Sequence, residues 1–358
     1  MQQALDLARK GEGRTSPNPP VGAVVVSGAE VIGTGFHPAA GEPHAEIFAL
    51  NAAGDRTDGA DLYVTLEPCN HHGRTGPCTE AIIKAGIRRV FVGCSDPNPV
   101  VAGKGIERLR SFGVKVVAGL LESSCRRLIA PFKKHILTGL PFVTLKTAMT
   151  LDGQTATHTG DSQWVTGELS RLYVHRMRNR SDAILTGIGS ILADDSRLTT
   201  RLPEGGRDAL RIVVDSQLRI PARAQILSPD TARLPLIATT SAAHNSRIEE
   251  LHDIGVEVIL LDSDPDGRVS LIDLMRYLGQ RNIQSLLLEA GSVLNGAALR
   301  SGIVDRVAFF IAPKLLGGED GFPVFSGGGV TLLKDAVVLQ DIRSCSFGND
   351  ILIEGEVV

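Results

Sequence analysis

Three short segments constrain this chain more than any other feature: His44-Ala45-Glu46 directly after Pro43, Pro68-Cys69, and Pro77-Cys78. The first and third open helical patterns and the second closes a strand-like run. If one imidazole and two thiols serve together, the fold must bring a strand end and two helix starts to one point. An α/β layer fold does this, and the surrounding pattern agrees. Strand-like runs lie at 21–26, 61–66, 88–93 and 114–119, with helical patterns at 44–53, 78–85 and 103–112 between them. Near-continuous apolar strands alternating with helices indicate a sheet covered on both faces. A helical stretch over 120–137 then stops at Thr138-Gly139-Leu140-Pro141, where Gly followed by Pro ends helices. The chain has 358 residues, too many for one ordinary core. The boundary is therefore expected after residue 139, giving domains 1–139 and 140–358.

The second part alternates again. Strands are expected at 141–149, 183–188, 210–216, 234–240, 256–262, 285–291 and 306–313, and helices at 168–179, 244–253 and 271–281. A last strand pair is expected within 345–358, around Gly348-Asn349-Asp350.

His44, Cys69 and Cys78 supply three ligands of the kind zinc prefers and leave a fourth tetrahedral position for water. Zinc held this way makes hydroxide accessible near neutral pH. Glu46, two residues from the histidine, is placed to move protons rather than to ligate. The zinc-deaminase signature is H-x-E followed by P-C-x-x-C. Here the second cysteine lies nine positions after the first, in PCNHHGRTGPC. His71 and His72 are rival ligands in that loop, and His71 is read as a substrate contact. A structural zinc module whose second domain senses a nucleotide is the alternative from another class. Glu46 argues against it, because a structural zinc site is closed by four protein ligands and needs no adjacent acid.

Bulk composition narrows the partners. Net charge is −3, which disfavours a polynucleotide substrate such as tRNA. No run approaches the ~18 apolar residues of a membrane span. The first residues lack the apolar segment of an export signal. Five cysteines in a chain without such a signal favour metal ligation over disulfides. A cytoplasmic enzyme with a small-molecule substrate is the expectation, and homo-oligomerisation is left open. Cys94, Cys125 and Cys345 lack a ligand context and read as structural.

The motifs TSPNPPVGAVVV, HAE, PCNHHGRTGPC and DPNPVVAGKG resemble the N-terminal half of the bifunctional riboflavin-biosynthesis deaminase/reductase family. In that family the long Cys–Cys loop is the rule. PFVTLKTAMTLDG, DSQWVTG, GIGSILADDSRLTTR, LLLEAGSVLNGAAL and IAPKLLGG resemble its reductase half. The resemblance implies a cytidine-deaminase-like α/β/α domain followed by a dihydrofolate-reductase-like α/β domain, one zinc ion and NADPH. It implies deamination of 2,5-diamino-6-ribosylamino-4(3H)-pyrimidinone 5′-phosphate, then reduction of its ribosyl group to ribityl. Carried over by position, Asn18, His37, His71 and Arg74 would surround the pyrimidine. Ser162, Arg178, Leu198, Arg201 and Glu289 would meet substrate in the second site. Ala148, Trp164, Thr166, Ser190, Asp194, Ser216 and the loop of Gly291, Ser292, Val293, Leu294, Asn295, Gly296 and Ala297 would meet the cofactor. Lys146, Thr166 and Asp194 would flank the reacting sugar, with Lys146 and Asp194 in catalytic roles. The runner-up within the same chemistry is a cytosine, guanine or tRNA-adenosine deaminase with an accessory domain.

Without the resemblance the second half says less. It has no G-x-G-x-x-G and no Walker A run. Gly291 ends a strand and opens a helix, where free amides suit a pyrophosphate. Lys146 lies within an apolar strand and needs a buried partner, for which Glu289 and Asp194 are the candidates.

Overall fold

The first unit, Met1–Gly139, builds its strands from runs whose residues are covered on both faces. The structure, a computed structural model, describes residues 1–71, 76–99, 101–228 and 233–358. In chain order the first unit holds α1 (Gln2–Ala8), β1 (Gly22–Ser27), β2 (Glu30–Phe36), α2 (Ala45–Ala53), β3 (Asp61–Leu66), α3 (Cys78–Lys84) and β4 (Arg89–Cys94). It continues with α4 (Lys104–Ser111), β5 (Lys115–Ala118), α5 (Glu122–Leu128) and α6 (Ala130–Thr138). The sheet order is β2-β1-β3-β4-β5. β1 runs antiparallel to both its neighbours, and β3, β4 and β5 are parallel.

One face buries Ala23, Val25, Leu62, Val64, Val90 and Val92 beneath Ala49 of α2, Ile82 of α3 and Leu109 of α4. On the other face Leu5 of α1 and Cys125 of α5 pack with Leu66 and Cys94. The result is three layers. α2 lies so close to β2 that a Cβ on Gly35 would sit 2.3 Å from the Ala45 carbonyl oxygen. Glycine there lets the first turn of α2, with its histidine and glutamate, seat directly on the sheet. Two elements were not in the expected pattern, α1 and β2. The expected helix over 120–137 is two helices, because Pro131 lies at the start of α6 and cannot continue α5. Gly139 takes a left-handed conformation at the end of α6.

The second unit, Leu140–Val358, begins with β6 (Phe142–Thr150), β7 (Gln154–Ala156), α7 (Glu168–Arg180), β8 (Ala183–Gly187), α8 (Ile188–Asp194) and β9 (Leu210–Val214). Next come β10 (Leu236–Thr239), α9 (Asn245–Asp253), β11 (Glu257–Leu260), α10 (Leu271–Gln280), β12 (Ser285–Leu288) and α11 (Ser292–Arg300). β13 (Val304–Ala312), β14 (Phe322–Pro323), β15 (Leu339–Phe347) and β16 (Asp350–Val357) complete it. Its main sheet has nine strands in the order β11-β10-β9-β8-β12-β6-β13-β16-β15. All pairs are parallel except those made by β16, which runs antiparallel to β13 and β15. α10 and α11 cover one face through Leu274, Leu278 and Ala298. The other face is covered by Leu251 of α9, Ile191 of α8 and Val174 of α7.

The chain runs from β6 outward through β8, β9, β10 and β11, then returns to place β12 between β8 and β6. Such a reversal opens a crevice at the C-terminal ends of the parallel strands, where α/β sheets bind ligands. β15 begins six residues before the expected strand pair, at Leu339.

Candidate active sites

In the first unit His44 is the N-cap residue of α2, and Cys78 is the first residue of α3. Cys69 follows β3. The three ligand atoms lie within 4.8 Å of one another, the one such group of three or more among the described residues. His44 Nδ1 is 3.2 Å from Cys78 Sγ and 3.5 Å from Cys69 Sγ. The loop closes at its base. The Cys78 amide donates to Cys69 Sγ at 3.4 Å, the Thr79 amide to the Cys69 carbonyl, and the Thr79 hydroxyl to Asn70 Oδ1 at 2.9 Å.

Two thiols this close compete for one negative charge. Hydrogen bonds from Cys78 and His44 hold Cys69 down to about 4, while the neighbouring Cys69 pushes Cys78 up. A cation between them removes the conflict. One imidazole and two sulfurs, with no fourth side-chain ligand in the group among the described residues, fit an open zinc site. Glu46, 3% exposed, faces the Cys78 thiol. Burial, and then the Cys69 charge, pushes its carboxyl up to about 7. A bound dication would draw that value back down.

In the second unit a buried trio gathers residues of β6, α7 and the end of β12. Arg178 of α7 grips Glu289 with two bonds, Nε to Oε1 at 2.6 Å and Nη2 to Oε2 at 3.0 Å. Lys146 Nζ of β6 lies 3.5 Å from Glu289 Oε2. The side chains are 12%, 7% and 16% exposed for Arg178, Glu289 and Lys146. Despite the cost of burial, the two cations hold Glu289 at about 2. Beside the trio α11 starts at Gly291, and no side chain of its N-cap residue bonds its first-turn amides. The Gly291 amide donates to Ser190 Oγ at 3.1 Å, which joins the start of α11 to α8.

Comparison with known proteins decides the family. Residues 1–94 match the cytidine and deoxycytidylate deaminase zinc-binding region, and residues 141–353 match the RibD C-terminal domain. The riboflavin biosynthesis protein RibD of Actinobacillus pleuropneumoniae is 44% identical over 358 residues, covering 100% of this chain and 94% of that one. The chain belongs to the RibD family of bifunctional deaminase/reductases. The RibD structure from Acinetobacter baumannii superposes with a TM-score of 0.84 at 37% identity, over 100% of this chain and 97% of that one. A Thermotoga maritima structure gives 0.83 at 37% identity, with the same coverage. It is described as a diaminohydroxyphosphoribosylaminopyrimidine deaminase/5-amino-6-(5-phosphoribosylamino)uracil reductase.

In this RibD chain His44, Cys69 and Cys78 make the zinc-binding site of the deaminase half, and the reductase half implies an NAD(P)H cofactor. The structure sorts the other expected residues. The His37 ring lies edge-on to the His44 ring, 5.4 Å between centroids, and Asn18 reaches that neighbourhood through His37. His37 is 2% exposed. Its Nδ1 donates to the Pro43 carbonyl at 3.0 Å, and its Nε2 accepts from Asn18 Nδ2 at 3.1 Å. Both ring nitrogens are engaged by protein groups. His71 is exposed, and Arg74 lies outside the described residues.

In the reductase half Lys146 pairs with Glu289, not with Asp194. Arg178 also donates to the Thr199 carbonyl at 3.0 Å, so Nε, Nη1 and Nη2 each meet a protein acceptor. Arg201 is exposed and anchored by Nη1 to Thr199 Oγ1 at 2.9 Å. Leu198 points into the core with a positive φ of 53°. The expected Gly291–Ala297 loop is the start of a helix. Asn295 and Gly296 are buried on its inner side. Asn295 Nδ2 donates to the carbonyls of Ala290 and Val324, at 3.2 Å each. Ser216 Oγ accepts from the Val269 amide at 3.1 Å. Ser162, Trp164 and Thr166 lie just before α7, and Ala148 lies two residues after Lys146 on β6.

Sequence reasoning missed Glu67 and His175. The Glu67 carboxylate, 3% exposed, accepts amides from Asp96, Gly103, Gly105 and Ile106 at 2.9–3.3 Å. It ties the start of α4 to the strand end that leads to Cys69. A Cβ on Gly105 would lie 2.0 Å from the Pro68 carbonyl oxygen, which explains a glycine in GKG. His175 Nδ1 accepts from the Arg201 amide at 3.2 Å. Burial and the Arg178 and Arg201 charges hold its pKa down to about 4, so it stays a neutral acceptor. The one visible signal for Glu67 was its place next to Pro68-Cys69.

Proposed function

We propose that this chain carries out two successive steps on one phosphorylated pyrimidine, one in each unit. The first removes the 2-amino group of 2,5-diamino-6-ribosylamino-4(3H)-pyrimidinone 5′-phosphate by hydrolysis. The second reduces the ribosyl group to ribityl with NADPH. The observation that carries this reading is an open three-ligand zinc site beside a buried glutamate, in a chain whose whole length matches RibD proteins. The boundary after Gly139 assigns one activity to each unit. Among the described residues no helix is long and apolar enough to cross a membrane, and a cytoplasmic setting follows from the reading.

In the deaminase half, zinc supplies Lewis acidity that makes water a nucleophile near neutral pH. Glu46 would take one proton from that water and give it to the pyrimidine nitrogen, then carry the second, from the hydroxyl now bonded to the ring carbon, to the amino group that leaves as ammonia. Asn18, held by His37, and His71 and Arg74 of the Cys–Cys loop orient the ring. In the reductase half the nicotinamide supplies a hydride. Lys146, kept charged by Glu289, gives a proton to the sugar oxygen. Asp194 and Thr166 hold sugar and cofactor, and the first-turn amides of α11 take the pyrophosphate.

The test is an assay of the purified chain on the diaminopyrimidinone phosphate. Ammonia release without NADPH, followed by NADPH oxidation only after deamination, is expected. Absence of ammonia release from a zinc-loaded preparation would overturn the reading.

Arg201, exposed where Arg178 is held by Glu289, is our candidate for the substrate phosphate. Its planar fork matches phosphate oxygens in a way Lys does not. Arg201→Lys is expected to raise the reductase KM roughly ten- to a hundred-fold, the scale of one charge-assisted contact. Deamination stays unchanged. The check is discrimination between phosphorylated and dephosphorylated substrate. If variant and wild type discriminate equally, the phosphate is bound elsewhere.

A further inference from the structure

The turn at Asp350 joins β15 to β16 at the far end of the chain, and the two reactions above leave it without a task. Yet Asp350 is 4% exposed. Its Oδ2 accepts from the Gly167 amide at 2.7 Å and from Ser170 Oγ at 2.6 Å. A carboxylate buried beside no cation is costly unless its charge is otherwise met. Here it is met by the N-terminus of α7, where free amides and the helix dipole favour an anion. Gly167, the N-cap residue of α7, has no side chain to offer. Asp350 is the cap, supplied from 183 positions along the chain.

What the cap holds is the segment leading into α7. That segment is gripped from its other sides as well. Lys314 Nζ donates to the Trp164 carbonyl at 2.6 Å, and Arg171 Nη1 to the Thr166 carbonyl at 2.7 Å. The Arg171 guanidinium also lies over the Trp164 ring, 4.6 Å from its centroid. Arg171 belongs to the first turn of α7, so its hold on Trp164 and Thr166 depends on where that turn sits.

We propose that Asp350 is a positioning residue of the reductase half: by capping α7 it fixes Gly167 and, through Arg171, the Trp164–Thr166 segment against which the nicotinamide cofactor binds. The proposal rests on the reading of Trp164 and Thr166 as cofactor contacts. An anion cap lost from a thirteen-residue helix frees its first turn before it frees the rest. The effect therefore falls on cofactor binding more than on the chemical step.

Trp164 is the one tryptophan of the chain, so tryptophan emission reports this segment alone. In full-length Asp350→Asn, Trp164 anisotropy is expected to fall. The reductase KM for NADPH is expected to rise about ten-fold, the scale of one charge-assisted hydrogen bond. kcat changes much less and deamination stays at the wild-type rate. Ser170→Ala removes one of the two donors to Asp350 and is expected to shift both readouts the same way by less. It also carries the test if Asp350→Asn fails to fold. Wild-type anisotropy together with a wild-type NADPH KM, in a folded Asp350→Asn protein or otherwise in Ser170→Ala, overturns the proposal. Trp164→Phe tests the underlying reading apart from it: unchanged NADPH affinity there removes Trp164 from the cofactor site without touching the result at Asp350.

Discussion

Replacing Glu46 by Gln is expected to leave zinc on the protein and cut deamination by at least ~10²-fold, the usual scale of general acid–base catalysis. Glu46 lies in the first turn of α2, one residue beyond Ala45 and two beyond the ligand His44. Gln keeps the volume and the hydrogen bonding of that buried place, so the ligand set survives. What is lost is a group that can bind and release a proton. Reduction of already deaminated substrate is expected to continue at the wild-type rate. Cys78→Ser separates the roles from the other side. It removes one of three ligands from an open site, and both stoichiometric zinc and deamination are expected to be lost. Metal analysis beside an ammonia assay on the two variants decides the matter. Deamination near wild type in Glu46→Gln removes Glu46 from proton transfer, and full zinc in Cys78→Ser removes Cys78 from the ligand set.

The zinc site was legible in the sequence because its residues are few, chemically distinctive and locally framed. His44-Ala45-Glu46 opens a helix directly after a proline, and each of the two ligand cysteines also follows a proline. The fold was legible for a similar reason. Runs such as AILTG and SLLL are mostly apolar without alternation because parallel strands are covered on both faces. β2 escaped because EVIGTGF carries glycines that serve packing against α2 and dilute its apolar signal. α1 escaped because its seven residues show too little of a repeat.

The supporting residues were much less visible, since their roles depend on partners remote in sequence. Nothing near Glu67 announces that four amides from 96–106 converge on it. Nothing in HPAAGEP says that His37 turns both nitrogens inward. The motif positions Asn295 and Gly296 read as part of a cofactor loop. In the fold they lie on the inner, buried side of a helix. Lys146 shows the same limit. A lysine in an apolar strand demanded a carboxylate, but the choice between Glu289 and Asp194 required the sheet order that sets β12 beside β6.

That choice has an energetic consequence. Glu289 is the only carboxylate in contact with Arg178 and Lys146 among the described ion pairs, so Glu289→Ala strands two buried cations at once. Removing one partner of a buried pair costs about 3–5 kcal/mol, which for a domain of this size lowers Tm by roughly 10 °C or more. Glu289→Gln keeps the shape and one acceptor oxygen and is expected to lose less. The pH dependence gives the cause a signature. Burial lowers the pKa of Lys146 and Glu289 raises it, so without Glu289 the folded value falls further below that of the unfolded chain. Between those two values the unfolded chain binds more protons, and stability then rises with pH. The deficit of Glu289→Gln against wild type is therefore expected to shrink from neutral pH toward ~10, near the ordinary lysine pKa. At the acid end the sign reverses for the wild type. Glu289 stabilises fully above the ordinary carboxylate pKa, and that contribution disappears as pH falls toward about 2. The two proteins should converge there. Thermal melts from acid to pH ~10 on both proteins measure this directly, and a deficit that does not change with pH would mean that Lys146 is not charged against Glu289 in the folded protein.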